Sequence, residues 1–153
     1  RKWLLKCFPQ QLNVSEEADV CQGYISTGDT EVRIRSSESN GNIEYILTFK
    51  DDGDVERKEV ELPINKETFR DLADLIGKPL ISKLTKKYKL DSGHTLEVSL
   101  VDAGEQTQFY YAEIEFGNVE EANSYILELP EIIEDVTYNK SYKMKSYWKR
   151  TRG

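Results

Sequence analysis

The stretch that decides the fold is EVRIRSSESNGNIEYILTFK, residues 31–50. Apolar and charged residues alternate at its start, so that on a strand Val32 and Ile34 would face a core. The charged side chains would share the opposite face, and these are Glu31, Arg33 and Arg35. The Asn-Gly pair within residues 36–42 is a strong signal for a hairpin loop. The stretch therefore predicts two antiparallel strands, and it raises the question of what the face with two arginines contacts.

Similar patterns predict secondary structure along the rest of the chain. Strands are expected over residues 1–5, 19–27, 44–50, 56–64, 84–90, 95–101 and 109–116. Helical spacing and capping residues predict a helix that opens at Asn65 and ends at Gly77, a second that begins at about Asn118, and a last helical piece over 141–148. Hairpins of antiparallel strands with few helices indicate an α+β protein with one domain over residues 1–153.

Composition excludes two broad classes of function. The net charge of −7 over 153 residues argues against general nucleic-acid binding, which needs an excess of lysine and arginine. No apolar run approaches the roughly 18 residues of a membrane span, so we expect no membrane association. Cys7 and Cys21 match no metal-ligand spacing and are expected to be reduced thiols of a cytoplasmic protein. The chain starts at Arg1 without a methionine, and we expect a few residues to precede it in the full protein.

Charged side chains of one parity recur on several predicted strands. One interpretation is an antiparallel sheet with a solvated face. The other is a closed barrel whose lumen gathers these charges. Arginine and lysine would then bind phosphate, and carboxylates two residues apart on a strand would bind a hard divalent cation. The side chains concerned are Arg33, Arg35, Lys50, Arg57, Glu59, Glu61, Lys87, Glu97, Glu113 and Glu115.

The order of short motifs resembles the triphosphate tunnel metalloenzymes of the CYTH-like superfamily, and most of all their small bacterial inorganic triphosphatases. The first of these motifs, E-x-E-x-K, is reduced to Lys2 in this chain. It is followed by QGY at 22–24, R-x-R at 33–35, T-x-K at 48–50, R-x-E-x-E at 57–61, TKKY at 85–88, EVS at 97–99, E-x-E at 113–115 and DVTYNKSYK at 135–143. The resemblance covers essentially the whole chain.

This resemblance implies a fold and an activity. The fold would be an eight-stranded antiparallel β-barrel that forms a tunnel, with flanking helices and a C-terminal helix around Tyr142 that closes one end. The activity would be metal-dependent hydrolysis of inorganic triphosphate with Mg²⁺ or Mn²⁺. Thiamine triphosphate and ATP, the latter cleaved or cyclised, are alternative substrates. A non-catalytic polyphosphate or nucleotide binder, or a structural module without phosphate binding, also stays open, as does a homodimer.

The resemblance also implies roles for individual residues. The phosphate ligands would be Lys2, Arg33, Arg35, Lys50, Arg57, Lys87 and Lys143. The residues that would bind the metal, or orient water bound to it, are Glu59, Glu61, Glu113 and Glu115, with Glu97 beside them. The residues expected to take part in catalysis are Lys2, Lys50, Lys87 and Glu97.

Three motifs depart from the family pattern. The two glutamates of E-x-E-x-K would lie before Arg1. The K-x-R-Y motif has Thr85 in place of its lysine and Lys87 in place of its arginine. We expect Lys86 to supply the phosphate contact that a lysine at position 85 would make. The E-x-D motif has Ser99 in place of its aspartate.

Overall fold

The computed structural model describes residues 1–53 and 57–153 of the chain. Its strands are β1 (Lys2–Leu5), β2 (Val14–Thr27), β3 (Glu31–Ser39), β4 (Asn42–Lys50), β5 (Glu59–Pro63), β6 (Ile81–Lys89), β7 (Thr95–Val101), β8 (Phe109–Glu113) and β9 (Ile132–Asp135). The helices are α1 (Lys66–Ile76), α2 (Val119–Ser124) and α3 (Met144–Arg152), and a 3₁₀ turn spans Lys140–Tyr142. The α+β class predicted from the sequence is confirmed.

The strands form one sheet in the order β5-β4-β3-β2-β6-β7-β8-β1-β9. The prediction of an eight-stranded closed barrel is wrong, because the sheet has nine strands and is open within the described residues, with β5 and β9 at its edges. The sequence analysis missed β9, a four-residue strand that pairs with β1. At the other edge, β5 ends at Pro63, which has no backbone N–H to donate to a further strand.

The β3–β4 hairpin is longer and tighter than predicted. The two strands continue through most of the predicted loop, and Ser39 pairs directly with Asn42. Asn40 (φ 52°) and Gly41 (φ 80°) alone make the turn, both in the left-handed region. Such a two-residue turn matches the right-handed twist of its strands, and this is why Asn-Gly is favoured there. The predicted turn over 51–54 and the start of the predicted strand 56–64 fall partly on residues 54–56, outside the described residues.

The chain divides into two compact units. Unit 1 comprises Arg1–Ala18 and Lys83–Thr137. Its apolar core lies on one face of its strands, and the buried members are Trp3, Leu5, Tyr88, Leu96, Val98, Ala112 and Ile114. These residues have the parity that the sequence predicted for apolar positions on β7 and β8. The other face of the same strands is therefore left for polar side chains.

Unit 2 comprises Asp19–Ser82 and Tyr138–Gly153, with Ile34 of β3 fully buried. The helix α1 packs against its sheet through Phe69, whose ring centroid is 5.1 Å from that of Tyr45. Trp148 of α3 packs against Tyr24 of β2, with ring centroids 5.6 Å apart. Tyr45 has the strand parity of the buried Ile34, so the contact with Phe69 covers the apolar face of β3 and β4. Tyr24 lies directly opposite Arg33 and belongs to the other face.

The predicted helix caps are confirmed. The Asn65 side chain accepts a hydrogen bond from the Thr68 N–H at 2.8 Å, and Gly77 ends α1 with φ 66°. The Asn118 side chain accepts from the Glu121 N–H at 2.7 Å at the start of α2. Within residues 1–53 and 57–153, no helix is long and apolar enough to cross a membrane.

Replacing Gly41 by alanine should destabilise the protein by about 1 kcal/mol, because an alanine side chain is strained in a left-handed conformation. The control is Gly28→Ala, since Gly28 lies outside the left-handed region and its nearest neighbour would be in ordinary contact at 3.7 Å. Urea unfolding followed by circular dichroism measures both. Equal midpoints for the two variants would contradict the role given to the turn.

Candidate active site

In unit 2, strand register places the predicted cations and carboxylates on one face of the sheet. Arg33 on β3 lies directly opposite Thr48 on β4, and Thr48 lies opposite Glu61 on β5. The next row on that face runs from Glu31 through Lys50 to Glu59. Alternate residues of a strand share a face, so Arg35 lies there as well. We call this set the arginine face: Arg33, Arg35, Lys50, Glu59 and Glu61.

Arg33 is held by buried polar neighbours. Its guanidinium donates a hydrogen bond to the Tyr24 hydroxyl and lies 3.8 Å from Glu31 Oε2. Burial alone would lower the pKa of Arg33, but Tyr24 and Glu31 outweigh that effect and raise it. Burial also raises the pKa of Tyr24, so its hydroxyl keeps its proton. Arg33 is therefore a fixed positive charge.

The positive charge of Lys50 is only partly balanced by the carboxylates near it. Burial lowers its pKa, and repulsion from Arg33 lowers it further, while Glu59 at 3.9 Å acts in the opposite direction. The predicted phosphate ligand Arg57 also lies close enough to lower the pKa of Lys50. A bound anion would favour the charged form of Lys50, so the arginine face is electrostatically suited to an anionic ligand.

Sequence analysis assigned no role to two buried polar residues on this face, Gln22 and Thr48. Both are fully buried, and Gln22 lies directly opposite Arg35. The Gln22 amide nitrogen donates to the Tyr24 hydroxyl at 3.2 Å, whereas Gln22 Oε1, Thr48 Oγ1 and Arg33 Nε have no hydrogen-bond partner in the described structure. Each unpaired buried group costs about 1–3 kcal/mol. The sequence signal that could have identified Gln22 and Thr48 was their alternation along the strands, which places them on the same face as Arg33 and Lys50.

Glu59 and Glu61 form a carboxyl pair joined by a hydrogen bond. The bond to Glu59 raises the pKa of Glu61, and burial raises it further. Burial opposes ionisation of Glu59, but the hydrogen bond from Glu61 and the charge of Lys50 lower its pKa. Glu61 therefore ionises less readily than Glu59. A divalent cation could bind between the two groups, because carboxylate oxygens are the ligands that Mg²⁺ and Mn²⁺ prefer.

In unit 1, four predicted residues form a single row across four strands. Lys87 on β6 lies directly opposite Glu97 on β7, Glu97 opposite Glu113 on β8, and Glu113 opposite Lys2 on β1. Lys87 Nζ also lies 3.3 Å from Glu16 on β2. We call this set the lysine–glutamate row: Lys2, Lys87, Glu97 and Glu113. Like charges at the centre of the row would favour a cation, and the lysines at its ends would favour an anion.

Two of the departures from the family motifs face each other in this unit. Thr85 and Ser99 are directly opposite, and their buried hydroxyl oxygens are 2.8 Å apart. A lysine and an aspartate here would have formed an ion pair, so their joint replacement by hydroxyls leaves the net charge of the face unchanged. The expectation that Lys86 replaces the missing lysine is not supported, because Lys86 lies opposite Val98 on the apolar face and its Nζ is 4.3 Å from the Phe8 ring centroid.

The remaining predicted residues lie outside these two sets. Glu115 follows the end of β8 and is exposed. Glu113, which belongs to the lysine–glutamate row, is also exposed. Lys143 lies at the N-terminus of α3, near enough to Asp52 to lower the pKa of that carboxyl, for which the hydrogen bond from Lys145 is the larger cause. The part of the chain that the structure describes contains no group of three or more histidine, cysteine, aspartate or glutamate residues placed to hold a metal ion. The metal ligands thus stay a prediction.

Comparison with known proteins identifies inorganic triphosphatases as relatives of this chain. No protein-family model matches the chain. The chain is 29% identical over 146 residues to an inorganic triphosphatase from Nitrosomonas europaea, which covers 95% of this chain and 93% of the relative. A crystal structure of an inorganic triphosphatase matches at a TM-score of 0.65 with 29% identity, over 95% of this chain and 93% of that chain.

The resemblance to the triphosphate tunnel metalloenzymes is confirmed. A protein from Hippeastrum with a dominant triphosphatase activity also matches, with a TM-score of 0.53 and 14% identity over 80% of each chain. At that identity the match concerns the fold alone. The similarity to the Nitrosomonas europaea protein extends over the residues of both units.

Replacing Glu59 by glutamine should lower the pKa of Glu61 toward its ordinary value, because the neighbouring negative charge is lost and the amide can donate to the Glu61 carboxylate. Carboxyl-detected NMR titration measures this shift. The control is Glu38→Gln, a change on β3 opposite Ile43 that should leave the Glu61 titration unaltered. An unchanged Glu61 titration in Glu59→Gln would show that Glu59 does not raise the pKa of Glu61.

Proposed function

We propose that this protein hydrolyses inorganic triphosphate in a metal-dependent reaction. The observation that carries the proposal is the similarity, over 95% of the chain, to the inorganic triphosphatase from Nitrosomonas europaea. The arginine face supports it, because its partly buried cations are only partly compensated by carboxylates and would be stabilised by a multiply charged anion. The bare triphosphate is the preferred substrate because the sequence shows no recognisable pocket for a base.

The cations would bind and orient the phosphate chain. Arg33 and Arg35 present guanidinium groups that suit bidentate contacts with phosphate oxygens, while Lys50 and Arg57 add positive charge beside them. Arg33 is already fixed by Tyr24 and Glu31, so little reorganisation accompanies binding. Such preorganised charge stabilises the negative charge on the transferred phosphoryl group in the transition state. Lys2 and Lys87 would do the same at the lysine–glutamate row, and Lys143 would add a further cation.

The carboxylates would hold Mg²⁺ or Mn²⁺. The neighbouring carboxylates of Glu59 and Glu61, and the opposed carboxylates of Glu97 and Glu113, are arrangements that a divalent cation would stabilise. Glu113 and Glu115 are proposed as ligands with Glu59 and Glu61, and Glu97 as a positioning group beside them. When bound, the metal would neutralise phosphate charge and activate water for attack.

Other assignments remain proposals alongside this one. Thiamine triphosphate, or ATP that is cleaved or cyclised, would bind to the same cations. Parallel assays with these substrates distinguish the alternative activities. A polyphosphate or nucleotide binder without activity would bind triphosphate without turnover. A cytoplasmic location, a homodimer, and the absence of nucleic-acid and membrane partners likewise rest on the sequence.

The proposal is tested by phosphate release from inorganic triphosphate with the wild-type protein and two arginine variants. Arg35→Ala should raise KM by about 10- to 100-fold, since a hydrogen-bonded charge contact to a phosphate is lost, with a smaller effect on kcat. Arg70→Ala, on the exposed side of α1, is the matched control and should behave as wild type. Absence of hydrolysis by the wild type with both Mg²⁺ and Mn²⁺ would reject the proposed activity.

The metal ligands are tested by chelation and by Glu115→Ala. Chelator should abolish phosphate release, and added Mg²⁺ or Mn²⁺ should restore it in the wild type. In Glu115→Ala the concentration of metal needed for half-maximal activity should rise at least about tenfold. Glu128→Ala, which removes an exposed carboxylate of the same unit, is the control. Full metal-dependent turnover by Glu115→Ala would remove Glu115 from the metal site.

A further inference from the structure

Lys83 is a lysine to which no sequence motif gave a role. It lies on β6 directly opposite Val101, two residues before Thr85 and four before Lys87. Side chains two and four residues apart on a strand share a face. Lys83 therefore lies on the face of unit 1 that carries the lysine–glutamate row, and not on the face of the apolar core.

Lys83 and Lys2 meet at one aromatic side chain, Tyr111. Lys83 Nζ donates a hydrogen bond to the Tyr111 hydroxyl at 3.0 Å. Lys2 Nζ lies 4.3 Å from the centroid of the same ring, and Lys83 Nζ lies 5.7 Å from it. Tyr111 is only 2% exposed, so the ring is a fixed support for both ammonium groups.

This arrangement concentrates positive charge. Lys83 contacts the hydroxyl oxygen of Tyr111, and both ammonium groups lie near the ring of that residue. A lysine ammonium carries three N–H donors. An anion with several oxygens, such as a phosphate group, matches these donors.

We propose that Lys83 is a substrate-binding lysine that holds a phosphate group of triphosphate together with Lys2, and that Tyr111 positions both ammonium groups. This inference rests on the proposed function. The inference also accounts for Thr85. Position 85 carries a neutral hydroxyl bonded to Ser99, and Lys83, two residues earlier on the same face of β6, supplies a cation to that face.

The test compares Lys83→Gln with Lys86→Gln. The two lysines belong to the same strand and unit and lie on opposite faces, so both variants lose one positive charge but only the first loses a group on the proposed site. The readouts are the Kd for inorganic triphosphate without metal, measured by calorimetry, and KM and kcat with Mg²⁺. Lys83→Gln should raise both Kd and KM by about tenfold and change kcat by less than about twofold. Lys86→Gln should match the wild type.

Two further variants separate binding from a structural role. Lys83→Arg keeps the charge and should retain most of the affinity. Tyr111→Phe keeps the ring but removes the hydroxyl acceptor, and should raise Kd by about threefold. Urea midpoints report folding, and if Lys83→Gln does not fold, the comparison of Lys83→Arg and Tyr111→Phe with wild type decides the question.

The outcomes distinguish this inference from the proposed function. If the wild type hydrolyses triphosphate and Lys83→Gln has the same Kd and KM, Lys83 is not a substrate ligand and the proposed function stands. If Lys86→Gln weakens binding as much as Lys83→Gln, the effect is one of net charge and the inference is overturned. If the wild type neither binds nor hydrolyses triphosphate, the proposed function fails and the role of Lys83 fails with it.

Discussion

A buried arginine is stable only where the adjacent strands provide partners for it, and strand register decides which partners those are. Arg33 is flanked by Tyr24 on β2 and by Thr48 on β4, with Glu31 two residues away on its own strand. A shift of one residue would turn Arg33 toward the core and expose Ile34, which is fully buried. The two-residue turn between β3 and β4 fixes this register. The arginine face therefore depends on a turn at the far end of the hairpin.

The same face carries groups that reduce the stability of the fold. Within residues 1–53 and 57–153, Gln22 and Thr48 have buried polar atoms without partners. Lys50 is a partly buried cation close to Arg33, and contact with Glu59 raises the pKa of Glu61. An apolar sheet face of the same shape would be more stable. Such groups are retained where a ligand completes their interactions, and binding sites are the usual place for them. The distribution of these groups indicates the site independently of any sequence motif.

The lysine–glutamate row shows how a motif can change while the charge of a site is conserved. Thr85 and Ser99 are separate departures along the sequence, but they lie side by side and share a hydrogen bond. Since one replaces a cation and the other an anion, the two changes offset each other. Lys83, two residues along the same face, then brings an ammonium group close to Lys2 across Tyr111. Thr85 stands where the motif has a lysine, and Lys83 is a lysine outside the motif. Only the structure shows that the two residues lie on the same face.

The sequence by itself determined eight of the nine strands, the faces of their side chains, the helix caps and the candidate charges, because each depends on residues close together along the chain. Alternation on β3 to β5 predicted that Arg33, Lys50 and Glu61 share a face, and the motif order predicted the resemblance. Only the tertiary structure decided the number of strands, the open order of the sheet, the partners of Arg33 and the contact of Lys83 with Tyr111. These features depend on which strands become neighbours and at what register. Such pairings join residues far apart in sequence, so no local pattern encodes them.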